Sequence, residues 1–137
     1  MTTSWSVEGK AALADLIGLP WEPGARGPYA FDCYGMVRHI QKRFYGIDLP
    51  DLVVNSDNDA EISDKIFQLG HPLGEEISGP SDGCVVTMGN ERREMHLGVY
   101  VAVDGGRIIH SERGTGCVAV PIAQCVWRKL RFYRVKA

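Results

Sequence analysis

No apolar run in this 137-residue chain approaches the roughly 20 residues that cross a bilayer, and the opening MTTSWSVEGK lacks the charged start and apolar stretch of a secretory signal. Synthesis in the cytoplasm, without a membrane span, is the expectation. A dominant charge is also missing: 15 Lys and Arg stand against 17 Asp and Glu, for a net charge of −2. That balance leaves no electrostatic footprint for nucleic acid. The basic stretch from Arg128 to Lys136 alternates its charges with Leu130, Phe132 and Val135, the pattern of a strand with one solvated face. The four cysteines, Cys33, Cys84, Cys117 and Cys125, form no CxxC pair and no CxxC/HxxxH set, so neither a structural zinc site nor a disulfide framework is expected. Repeats, linkers and low-complexity tracts are absent, and the length suits a single domain over residues 1–137.

What is present falls into two halves. Residues from about Trp5 to Ile17 carry Val7, Leu13, Ala14 and Ile17 and end at Gly18, with Pro20 beyond, which predicts a short helix with a glycine stop. After the loop LPWEPGARGP, Asp32 reads as an N-cap, Cys33, Val37, Ile40 and Phe44 share one helical face, and Gly46 ends the element. A third helix is expected from about Asn58 to Leu69. Its acidic entry, NSDNDAEISDK, is no calcium loop, because twelve positions counted from Asp57 put Ile62 where glycine is needed and Gln68 where glutamate is needed. The second half then changes period. CVVTM, MHLGVYVAV, GRIIHS, CVAVP and LRFYRV are short, β-branched and separated by turn residues, so they predict an antiparallel meander. Helices followed by strands indicate an α+β domain.

The chemistry centres on YAFDCYGMVRHI. A thiol in the first turn of a helix sits among backbone N–H groups without intrahelical partners, and the positive end of the macrodipole favours thiolate. Cys33 therefore reads as an activated nucleophile, with Gly35 expected to keep the neighbouring surface open. Cys84 and Cys117 begin apolar runs and read as core residues. Of the histidines, His39 and His71 read as surface residues, while His96 and His110 lie within predicted strands. His96 shares a face with Gly98, whose missing side chain would leave room for an approaching group, and is the candidate base.

The run GLPWEPGARGPYAFDCYGMVRHIQKRFYGIDLP, then SDGCVVTM, then HLGVYVAVDGGRIIHS, resembles the NlpC family of papain-like cell-wall cysteine peptidases, above all versions found in phage and prophage tail proteins. The resemblance implies a papain-like fold with N-terminal helices packed on the β-meander. It implies Cys33 as nucleophile, His96 as general base, His110 as the polar third member and Asp32 as a holder of the substrate's amine end. The implied substrate is the stem peptide of peptidoglycan, cut between γ-linked D-glutamate and a diamino acid, with no metal or cofactor. Phage tail proteins are the implied partners, and a virion tail acting on the bacterial wall is the implied location. Trp21 stands where the family commonly has tyrosine, and Tyr34 where it often has serine; both are expected as aromatic walls of the substrate site. A tight turn at Asp104 and Gly105 would set His96 opposite about residue 113, so its meeting with His110 requires a bulge. Two other readings use the same scaffold: a tail-assembly protein with little or no hydrolysis, and an acyltransferase or thioesterase on the same Cys–His site.

Overall fold

The computed structural model describes residues 5–50, 74–92 and 94–135. The expected third helix over Asn58 to Leu69 lies outside the described residues. Helix α1 spans Val7–Ala14, opened by Ser6, whose hydroxyl accepts the N–H of Gly9. It is shorter than the sequence pattern suggests. Leu13 and Leu16 are the residues turned inward, while Val7 is 81% and Ile17 40% exposed. Gly18 does not stop the helix; its N–H bonds to the Cys117 carbonyl, and Cys117 returns its own N–H to Leu19, so this segment is clipped to a strand.

Helix α2, Cys33–Tyr45, begins and ends where the sequence places it. Asp32 caps the start, and Gly46 closes the end in the left-handed conformation, at φ 69°. Tyr34, Met36, Val37 and Ile40 are fully buried and Phe44 is half-buried.

Six strands form one antiparallel sheet: β1 Glu75–Ile77, β2 Val85–Gly89, β3 Glu94–Val101, β4 Arg107–Glu112, β5 Gly116–Pro121 and β6 Lys129–Arg134. Their spatial order is β1-β6-β2-β3-β4-β5. The meander thus runs from β2 to β5. The chain then crosses back through a short 3-10 turn, Ile122–Gln124, and β6 pairs with β2 on its far side. One face of the sheet packs against the helices through Val85, Leu97, Val99 and Ile109. The other face is closed by the returning chain, which lays Ile122 and Trp127 over Val86, Met88 and Ile108. The sheet is covered on both sides, and the two candidate histidines sit on its adjacent inner strands β3 and β4.

Candidate active site

The start of α2 is built by a tight set of contacts around Asp32. Its Oδ1 accepts the N–H of Gly35 at 2.6 Å and a guanidinium N–H of Arg26 at 2.7 Å. The backbone N–H of Asp32 in turn donates to the Ala25 carbonyl. That carbonyl explains Gly35: a Cβ there would lie 2.3 Å from the Ala25 oxygen. Gly35 is therefore needed so that the 25–26 loop can pack on the helix, where the sequence suggested an opening beside the sulfur. From the sheet, Ser111 Oγ donates to the Phe31 carbonyl at 2.7 Å. The residue after His110 thereby fixes the chain just ahead of Cys33.

Cys33 is 4% exposed. Its sulfur faces the backbone N–H groups of Leu97 and Tyr34, both of which favour thiolate, as does the nearby Arg26 guanidinium. Burial and the Asp32 carboxylate oppose them and win, pushing the thiol up to about 12. The expectation of a standing thiolate, drawn from the helix start alone, gives way to a protonated thiol in the free protein. A base must take its proton.

Leu97 belongs to β3 and follows His96, so the thiol lies against the strand segment that carries the candidate base. The Nε2 of His96 and the Nδ1 of His110 are 2.8 Å apart, with the rings edge to face at 83°. Among the described residues no hydrogen bond joins Cys33 to His96; the structure brings the two histidines together and brings Cys33 to the neighbouring backbone. Both imidazoles are held neutral by burial, His96 down to about 3, with His110 beside it adding to the shift, and His110 down to about 4.

The β3–β4 ladder keeps a regular register from Val101–Arg107 to Val99–Ile109, so the bulge that the hairpin spacing called for is not seen in that pairing; the bulge on β3 lies in its pairing with β2. Met88 faces His96 while Gly89 faces Glu94, which leaves Met95 as the extra residue of β3. The β3–β4 connection is a five-residue turn, 102–106, and the ladder between these strands ends at Val99 opposite Ile109. The two histidines meet beyond that pair, outside the paired part of the hairpin. Gly98 leaves no room for a ligand, because its missing Cβ would meet Ile108, the Ile109 carbonyl and Met88 at about 3 Å.

The expected substrate-binding residues fare differently. Tyr34 is 0% exposed and its hydroxyl donates to the Pro50 carbonyl, so it belongs to the core and has no surface for a substrate. Asp32 is 1% exposed and already paired with Arg26, so a guanidinium stands where a substrate amine was expected. Trp21 is half-buried under the Arg113 guanidinium, 5.2 Å from its ring centre, next to the Pro20 carbonyl that accepts the Phe31 N–H. Two residues escaped the sequence reading. Arg26 came from a loop with no pattern to mark it. Trp127, stacked on His96 at 5.9 Å and 21°, comes from the returning segment between β5 and β6. The connection, IAQCVWR, is mostly apolar and carries no signal that singles Trp127 out. Among the described residues no cluster of His, Cys, Asp and Glu could hold a metal ion, and no helix is long and apolar enough to cross a membrane.

Comparison with known proteins adds to this geometry. The crystal structure of the NlpC/p60 domain of the peptidoglycan hydrolase SagA superposes with a TM-score of 0.60 at 20% identity, covering 90% of this chain and 93% of that one. At that identity the likeness shows the fold. No curated protein sequence matches closely enough to add to it. The profile of the NlpC/P60 family matches residues 18–135, which takes in the helix start at Cys33 and all six strands, and the chain belongs to that family.

Proposed function

We propose that this protein is a cysteine peptidase that hydrolyses peptidoglycan stem peptides at the bond between γ-linked D-glutamate and the diamino acid. The observation that carries this reading is a buried thiol at a capped helix start, lying against the strand that holds a paired, neutral histidine. SagA, named as a peptidoglycan hydrolase, shares the fold and so supports the substrate class.

In the reaction, His96 takes the Cys33 proton on Nδ1 while its Nε2–H donates to His110 Nδ1. This division of roles requires the tautomer in which Nδ1 of His96 carries a lone pair; the reverse tautomer would have no base to offer. Sulfur attacks the scissile carbonyl, and the Cys33 backbone N–H, which has no intrahelical partner in the first turn, is placed to stabilise the oxyanion. The amine leaves with the proton from His96, and water then hydrolyses the thioester. The resemblance of the three runs between Gly18 and Pro121 to phage and prophage tail versions of the family supports a role in a tail, for wall penetration or tail assembly.

Hydrolysis of purified muropeptides by wild type and Cys33→Ala tests the proposal. Release of the two fragments by wild type alone is expected; equal release by Cys33→Ala would overturn it. A second reading, a tail-assembly protein with little or no hydrolysis, draws on the 4% exposure of Cys33 and the Arg26 guanidinium on Asp32. It is favoured if both proteins are inactive on muropeptides and on intact sacculi.

A further inference from the structure

Helix α2 carries three cationic side chains, Arg38, Lys42 and Arg43, that the chemistry above does not use. Arg26, Gly35, Arg38, His39, Lys42 and Arg43 line a cavity of about 420 Å³, and among the described residues no carboxylate lines it. At roughly 100° per residue, Lys42 and Gly35 lie about 180° and 200° around the helix from Cys33, so the cavity runs along the opposite side and reaches the same tip. Lys42 and Arg43 are in the last turn, where cations complement the helix dipole. That account does not extend to Arg38 or Arg26. Among the described residues, Arg38, Lys42 and Arg43 form no ion pair; Arg38 spends its Nε–H on the Leu49 carbonyl.

Two contacts join the cavity to the reaction centre. Arg26 lines it and also holds Asp32, the residue that caps the helix at Cys33. Gly35, two residues past the nucleophile, forms part of its wall. An extended substrate advances about 3.4 Å per residue, so a chain passing over the helix tip enters the cavity within a few residues of the scissile bond. Such a wall repels an amine and attracts an anion.

We propose that this cavity is a substrate subsite for an anionic group, carboxylate or phosphate, carried near the cleaved bond. The assignment rests on the peptidase reading and reverses the polarity expected from Asp32 alone. The test uses the full chain as wild type, as Lys42→Glu/Arg43→Glu, and as Lys10→Glu/Arg128→Glu, which makes the same charge change at exposed positions outside the cavity. Titration calorimetry with inorganic tripolyphosphate probes phosphate. The ratio of kcat/KM for an N-succinylated stem peptide to that for its N-acetylated form probes carboxylate. Binding weakened roughly tenfold in the cavity variant but kept in the control supports a phosphate ligand, and a succinyl-to-acetyl ratio lowered roughly fivefold supports a carboxylate. If neither quantity separates the cavity variant from the control, the subsite is overturned. Should no peptide be cleaved by any of the proteins, the peptidase reading fails, and the tripolyphosphate titration still decides the cavity.

Discussion

In the proposed mechanism His96 and His110 divide one task between two rings, and substitution separates the shares. Removing the base with His96→Ala is expected to lower kcat/KM by about 10²–10⁴-fold. His110 acts through His96, so His110→Ala is expected to lose roughly ten- to a hundredfold. His110→Asn keeps a side-chain acceptor for the Nε2–H of His96 and should recover most of that loss. A second readout follows from the thiol being pushed up to about 12: alkylation of Cys33 at pH 7 should slow markedly in His96→Ala, because the imidazole no longer draws off the proton. Steady-state kinetics and mass-spectrometric labelling rates check both; a His96→Ala protein that matches wild type in either removes the base assignment. Cys33, His96 and His110 were open to proposal from the sequence because residue type and local position suggest their chemistry, and the structure sets the two histidines 2.8 Å apart. Arg26 and Trp127 were not, since each reaches the site by folding of a loop whose own sequence carries no mark of the destination. The same loop explains why Asp32 reads from sequence as open and is in fact paired.

At the scale of elements, α2 was legible in both its ends because caps are local: Asp32 bonds three residues on, and Gly46 adopts a conformation that side chains disfavour. What the pattern around Gly35 could not reveal is the Ala25 carbonyl pressed against it. Gly35→Ala should therefore destabilise the protein by about 1–3 kcal/mol and weaken activity, because the 25–26 loop must move and draw Arg26 away from Asp32. Gly79→Ala provides the contrast, since a Cβ at Gly79 meets nothing within 4 Å and its φ is ordinary; its effect should stay within about 0.5 kcal/mol. Urea midpoints of the two variants decide the matter, with equal shifts counting against the packing account. The strands show the opposite limit of local reading. β2 to β6 announced themselves as short β-branched runs between turn residues, but β1 is only three residues of Glu-Glu-Ile, too short and too charged to stand out. The pairing of β6 with β2 depends on a contact between distant segments.

For the whole molecule, α+β architecture followed from the order of helical and β patterns, while the closure of the second face depended on the return of the chain through Trp127. That closure sets how the protein meets acid. His96 and His110 are buried neutral, with folded pKa values of about 3 and 4 against an unfolded value near 6.5. Burial lowers His39 as well. Below about pH 6.5 the unfolded chain binds protons that the folded chain refuses, so the stability these groups contribute is present above 6.5 and lost as pH falls toward 4. Each fully refused proton costs about 1.4 kcal/mol per pH unit, so the pair removes up to about 2.7 kcal/mol per unit. A domain with about 5–15 kcal/mol in total is exhausted within a few units. The same burial keeps His96 neutral, the form that the proposed mechanism needs, so its protonation should not limit catalysis at pH 5. Activity in acid should instead track the folded fraction: the pH of half-maximal kcat/KM should coincide with the midpoint of acid unfolding followed by circular dichroism, and both should lie below 6.5. Urea unfolding between pH 7.5 and 4.5 should show the slope flattened in His96→Asn/His110→Asn. An activity loss centred near pH 6.5 in fully folded protein would mean that the site is open to water and that His96 titrates as an ordinary histidine.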